Sequence, residues 1–261
     1  MRPEHVERFE AFLERYGKIH ALDGAYTAPD AMTGHRDAAA RLFDQSVGFL
    51  ESLPLDGVRT VLDVGMGYGD HCAWFAERGL EVTGVSVHVP DDLRSHADRH
   101  GYAIAEMDMH FLDYKDGAFD LVWSHHSLEH SFSPLFALEE WKRVTRPGGI
   151  LSVTVPPHKG TIVSGHFCTG WSVGQLAYML GVAGLELSGG RFVREGYNVR
   201  GLVTRPQTDP DPAGLSWLHG LRDRLPEAIR STMREQPQSL GGWNFEGEIA
   251  EIDDRVPSAR G

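Results

Sequence analysis

The run Val61-Leu62-Asp63-Val64-Gly65-Met66-Gly67-Tyr68-Gly69-Asp70 constrains the fold more than any other stretch of this chain. Its apolar start reads as a buried strand. The three alternating glycines break that strand into a tight turn whose backbone can approach a ligand that any Cβ would push away, and Asp70 stands where it can cap a following helix. A strand, a glycine turn and a helix in this order leave a nucleotide-sized pocket at the end of the strand. The D-x-G-x-G-x-G spacing is nevertheless shared by several doubly wound folds and is less specific than a phosphate-binding G-x-x-x-x-G-K-[ST].

The segments downstream supply what the turn lacks. Strands are expected over about 59–64, 81–87, 103–107, 119–124 and 149–155, with helices over about 70–78, 90–99 and 134–145 between them. Ser133-Pro134 opens the last of these helices and Pro147-Gly148-Gly149 stops it. Strands separated by single helices pair in parallel through right-handed crossovers. A loop over 156–170 then leads to a helix from Ser172, whose Ser172-x-x-Gln175 fits a capping box, to about Ala183, with Gly184 closing it. Leu185–Arg194 and Tyr197–Arg205 read as an antiparallel hairpin. The expected architecture is α/β: a doubly wound seven-stranded sheet, mostly parallel with a C-terminal antiparallel hairpin, plus N-terminal cap helices near 5–16 and 36–52. The domain division is cap helices over 1–54, a core over 55–205 and an extension over 206–261, which begins as a proline-rich linker and continues in one helix near 213–233.

Composition narrows the function. With 37 acids against 25 bases the formal charge is −12, which opposes a protein that holds nucleic acid by neutralising phosphates. No apolar run reaches the roughly 18 residues of a membrane span, and Met1-Arg2-Pro3-Glu4-His5 precedes a charged helical pattern rather than a signal-peptide core, so a cytoplasmic protein is the expectation. Cys72 and Cys168 lack C-x-x-C spacing, which points away from a disulfide framework or a thiolate metal knuckle.

Taken together, Asp63-Val64-Gly65-Met66-Gly67-Tyr68-Gly69, Asp108 with Met109, Phe119-Asp120-Leu121-Val122-Trp123-Ser124, Leu128-Glu129-His130 and Arg146-Pro147-Gly148-Gly149 resemble the class I S-adenosylmethionine-dependent methyltransferases over about residues 55–205. The resemblance implies S-adenosylmethionine as cofactor and S-adenosylhomocysteine as product. It places Asp63 and the amides around Gly65 and Gly67 beside the methionine and ribose portion, Asp108 against the adenine amino group, the Met109 amide against a ring nitrogen, and Ser124 with His125 beside the methionine end. Asp108 has a plainer alternative as a turn residue. Where most relatives end strand two with an acid for the ribose hydroxyls, this chain has Ser86, with His88 or water to complete the hydrogen bonds. That departure also argues against a nicotinamide dehydrogenase, whose ribose acid would stand in this region.

Methyl transfer to a hydroxyl needs a group to take its proton, and histidine suits that task. His125, His126 and His130 follow strand four, and His158 and His166 follow strand five, all at the sheet edge where open α/β folds bind ligands. His166 is the first candidate for a substrate-facing base, His126 the next, and His130 either catalytic or a brace for its loop. No metal is assigned, although the same histidines with Glu129 or Asp113 would offer ligands for a divalent ion. A narrower resemblance, carried by Pro156-Pro157-His158 through His166, Trp171, Tyr178, Gly196-Tyr197-Asn198 and Phe245-Glu246-Gly247-Glu248-Ile249, is to small bacterial methyltransferases of glycan and secondary-metabolite pathways. It implies a small polar acceptor, with Trp171 and Tyr178 either stacking on it or packing in the core. N- or C-methylation and a non-catalytic S-adenosylmethionine-binding protein are the alternatives. The end segments fit an acceptor pocket or a homo-oligomer contact equally.

Overall fold

The computed structural model describes residues 6–8, 10–12, 14, 29–158, 166–208, 221–227, 233–234 and 244–245. After helix α1 (Pro29–Glu51), the chain runs β1 (Thr60–Val64), α2 (Asp70–Ala76), β2 (Glu81–Ser86), α3 (Asp91–His100), β3 (Ala103–Glu106) and β4 (Phe119–His125). A 3₁₀ turn (Leu128–His130) precedes α4 (Pro134–Val144), β5 (Thr145–Val155), α5 (Val173–Val182), β6 (Glu186–Glu195) and β7 (Asn198–Thr204). Residues 6–8, 10–12 and 14 are helical, as is Leu221–Arg224, whereas most of the helix expected near 213–233, the loop over 159–165 and Glu246 to Ile249 lie outside the described residues.

The seven strands lie in the order β3-β2-β1-β4-β5-β7-β6. All are parallel except β7, which runs against both β5 and β6. The chain winds outward from β1 to β3 and then returns across β1 to place β4 on its other side. This reversal opens a crevice at the carboxyl ends of β1 and β4, where the helices diverge to opposite faces. Alternation along β1 divides the core accordingly: Leu62 and Val64 pack with Leu138, Trp141, Leu176 and Leu180 of α4 and α5, and Val61 packs with Phe49, Leu50, Phe75 and Leu93 of α1, α2 and α3.

Local chemistry sets the boundaries, sometimes differently from expectation. Asp70 does not cap α2: it is the first helical residue, and the N-cap is Gly69 in the left-handed region, φ 84°, without a side-chain bond. Ser133 occupies the N-cap of α4 but makes no capping bond, so the proline behind it carries the start. Ser172 does cap α5, accepting the Gln175 N–H, and Gly184 follows that helix at φ 84°. The segment Arg146-Pro147-Gly148-Gly149 lies inside β5 rather than ahead of it. Opposite it the ladder jumps from Phe119↔Thr145 to Leu121↔Ile150, a bulge that absorbs Pro147 and the positive φ of Gly148. Among the described residues no helix is long and apolar enough to cross a membrane.

Candidate active site

The three glycines after β1 have three different reasons to be glycine. A Cβ on Gly65 would collide with Ser127 Oγ, and one on Gly69 with the Tyr102 hydroxyl, which is held by His96 Nδ1 at 2.9 Å. A Cβ on Gly67 would meet nothing within 4 Å, and its φ of +55° turns the backbone toward open space. The close approach to a ligand therefore belongs to Gly67, while its two neighbours fit the turn against the rest of the protein.

That open space is a cleft of about 280 Å³ at the crevice between β1 and β4. Val64, Val85, Val87 and Met107 form apolar walls, and Ser86, Asp108 and Met109 close one end beside them. Gly65, Gly67, Ser127, His126 and His130 form the other rim. The His88 N–H reaches Ser86 Oγ at 3.4 Å, so His88 contributes through its backbone. Asp108 lines the cleft and also makes a turn, its Oδ1 accepting the His110 N–H at 2.9 Å. The same oxygen lies 2.6 Å from His110 Nδ1, and His110 Nε2 lies 2.6 Å from Ser131 Oγ, which accepts the Ser133 N–H. A carboxylate partner assigns the proton to Nδ1, which leaves Nε2 to accept from Ser131. His110 is fully buried and stacks on Phe132 at 4.0 Å, so it locks the Asp108 carboxylate in place. This buried brace was not singled out in the sequence, where D-x-H is its only trace.

Other expected positions lie elsewhere. Asp63 is buried beneath the turn, where it accepts from the Cys72 thiol at 3.2 Å, and burial raises its carboxyl to about 7. It is not part of the cleft wall. Ser124 and His125 are also absent from that wall: Ser124 is fully buried in β4, and His125 turns under α1 against the rings of His71 at 4.7 Å and Trp123. Side chains alternate along a strand, and the residues after β4, His126 and Ser127, reach the cleft instead. His158 is exposed and bonded through Nδ1 to the Thr169 carbonyl, Trp171 is a core residue at 1% exposure, and Tyr178 is exposed at the surface.

The histidines of the rim are not equivalent. His126 has a φ of +55°, the one positive φ among the described non-glycine residues, and its N–H donates to the Thr154 carbonyl. Its Nε2 bonds Asn198 Oδ1 at 2.8 Å, its Nδ1 lies 3.3 Å from Glu129 Oε1, and its ring stacks on Tyr197 at 5.6 Å. Both nitrogens of His126 are thus engaged. His130 meets His166 edge-on at 4.8 Å, and burial holds the His166 imidazole below its usual pKa, so it is neutral at pH 7 and able to accept a proton. Glu129 sits behind this pair at 1% exposure, its Oε1 facing His126 Nδ1 and its Oε2 without a hydrogen bond among the described residues. One ligand atom each from Glu129, His130 and His166 lies within 4.8 Å of the others, whereas Asp113 is exposed and not part of that group.

Residues 62–153 match the family described as Methyltransferase domain. A methyltransferase of Mycobacterium sp. (strain JLS), itself uncharacterised, is 40% identical over 124 residues, 46% of this chain and 47% of its own. The methyltransferase GfsG of Streptomyces halstedii is 32% identical over 148 residues, 53% of this chain and 51% of its own. This chain thus spans about half the length of these relatives. Among solved structures, a Burkholderia thailandensis 1,6-didemethyltoxoflavin-N1-methyltransferase, with 1,6-didemethyltoxoflavin and S-adenosylhomocysteine bound, superposes with a TM-score of 0.61 at 21% identity, covering 74% of this chain and 90% of that one. The glycine turn, the strand order and the sequence match agree: residues 62–153 match a methyltransferase domain, and the sheet that carries them has the fold of the methyltransferase with S-adenosylhomocysteine bound.

Proposed function

We propose that the protein transfers a methyl group from S-adenosylmethionine to a hydroxyl of a small polar metabolite. One observation carries this reading: the open space over Gly67 is continuous with an end lined by Ser86 and Asp108 and with a rim carrying His126 and His130. The residues fit the cofactor. Gly67 leaves room that a Cβ would take, Ser86 and the braced Asp108 offer hydrogen-bond acceptors to ribose hydroxyl and adenine amino groups, and the valines offer apolar contact to the base. Bound S-adenosylmethionine supplies an electrophilic methyl carbon on a sulfonium.

The protein's own work is to align the acceptor and to manage its proton. His126, held at both nitrogens, shapes the rim. His166, neutral and half-buried beside His130, is the group assigned to take the proton. Calorimetric titration with S-adenosylhomocysteine tests the cofactor half, with one-to-one binding expected. Transfer of labelled methyl into a pool of hydroxylated metabolites tests the other half, and label found only on nitrogen or carbon would replace the hydroxyl assignment. A second reading, in which an ion held by Glu129, His130 and His166 orients the acceptor, is favoured by the convergence of one ligand atom from each of the three around the buried Glu129 carboxylate.

A further inference from the structure

The sheet face beneath α1 carries a row of polar side chains that its own protein leaves without partners. His125, Thr154 and Arg200 pair across β4, β5 and β7, and Trp123 pairs with Ser152 two residues earlier. All five are buried, Arg200 completely. Among the described residues, His125 Nε2, Thr154 Oγ1, Trp123 Nε1, Ser152 Oγ, Asn198 Nδ2 and both Nε and Nη1 of Arg200 have no hydrogen-bond partner. Only Nη2 of Arg200 is satisfied, donating to the Gln45 carbonyl of α1 at 3.0 Å. Buried polar groups are nearly always paired, and a buried charge left alone costs several kcal/mol. So many orphans on adjoining strands mark a missing partner.

The chemistry of the row says what that partner is. Each of these groups is able to donate. A second guanidinium, that of Arg191, lies over the same Phe49 ring as Arg200, at 4.4 and 4.8 Å, and no ion pair to either is formed among the described residues. Glu195 acts on Arg200 electrostatically but forms no ion pair with it among the described residues, so in a chain with a formal charge of −12 two guanidinium groups share one place without a directly bonded carboxylate. Burial lowers the Arg200 guanidinium to about 10, which still leaves it charged at neutral pH, while burial and that charge hold His71 near 3 and therefore neutral. Water would satisfy the hydroxyls but not the charge. The row also touches the cleft, because Asn198 bonds His126 and the His125 ring lies 4.7 Å from that of His126.

We propose that this face is the anchoring subsite for a carboxylate on the acceptor, with Arg200 supplying the charge and His125, Thr154 and Asn198 the neutral donors. The assignment rests on the methyltransferase reading, since it names the class of acceptor for that same site. It makes the substrate a small hydroxylated acid, bound with its anionic end under α1 and its hydroxyl toward the histidine rim.

The test uses the full chain saturated with S-adenosylhomocysteine, whose binding is measured first so that failure of the cofactor reading is seen by itself. Thermal unfolding is then followed with matched pairs of aliphatic, aromatic and indolic carboxylic acids and their primary amides, and with inorganic phosphate. At least one acid should stabilise the protein and shift the Arg200 Nε–H resonance, its amide should do neither, and Arg200→Gln should erase the difference. Thr154→Val, which keeps the charge, should weaken the same acid by about tenfold, as expected for one hydrogen bond to a charged group. The wild-type resonance decides the matter if the Arg200 variant does not fold. A panel in which no acid outperforms its amide overturns the subsite, and phosphate acting as well as the best acid makes it a site for a free anion instead.

Discussion

At the scale of single residues, the glycine turn separates ligand contact from internal fit. Gly67→Val should abolish S-adenosylhomocysteine binding in calorimetry because its side chain enters the cleft, and should lower the melting temperature only through the strain of its φ of +55°, since its Cβ meets no neighbour. Gly65→Ala should instead lower the melting temperature, since its Cβ runs into Ser127 and its φ of +76° is unfavourable for alanine. Equal loss of binding and stability in both would remove the distinction. Asp63 offers a pH test of the same turn. Its carboxyl, near 3.8 when unfolded and about 7 when buried, keeps its proton longer in the folded state. The folded state therefore binds more protons between these values, and the contribution to stability, full below pH 3.8, is lost as pH rises to 7, by up to about 4 kcal/mol. Asp63→Asn has no proton to lose. Urea unfolding of the two proteins from pH 4 to 7 should show the parent losing stability relative to the variant, and parallel curves would contradict the burial argument.

At the scale of elements, Asp120 ties three strands of the sheet together. Its Oδ2 accepts the N–H groups of Arg59 and Thr60 at the start of β1, at 2.9 and 3.0 Å, and its Oδ1 accepts from Arg146 in the β5 bulge. Partial burial opposes ionisation, but these bonds outweigh it and hold the carboxyl at about 2. With a folded value below the unfolded one, the stabilisation is present above pH 3.8 and disappears as pH falls through 2. Asp120→Asn should cost about 2 kcal/mol at pH 7, and the two proteins should converge toward pH 2 in denaturant unfolding. The Phe119-Asp120-Leu121 pattern made the strand legible in the sequence, yet nothing there tells a strand acid that clasps a neighbour from one facing solvent. The Pro147-Gly148-Gly149 segment shows the same limit: it reads as a stop between helix and strand, but register is a property of the pair, and the facing Phe119 and Leu121 allow a bulge within one strand.

At the scale of the whole molecule, periodicity and turn chemistry made the winding order readable, because each βα unit carries its own strand, glycine and helix signals and the crossover rule then leaves few arrangements. The rim was less readable. His126, His130 and His166 can be expected at the crevice from their places after β4 and β5, but the Asn198 and Glu129 contacts that occupy His126 come from strands and turns brought together only by the fold. Sequence position likewise could not show that His125 faces α1 while its neighbour faces the cleft, since one residue of phase in a strand exchanges the two sides. The placement of His166 beside His130 gives a prediction that spans the cofactor and acceptor halves. Removing a group that acts on the acceptor alone should lower turnover while leaving S-adenosylhomocysteine affinity unchanged, so His166→Ala is expected to lose about 10²-fold or more in kcat with calorimetric binding intact. A parallel loss of binding would move His166 to the cofactor side. Exhaustive chelation of the parent then separates base from ligand: if His166 accepts the proton unaided, turnover is unchanged, whereas loss restored by a divalent transition ion would assign Glu129, His130 and His166 to a metal clamp.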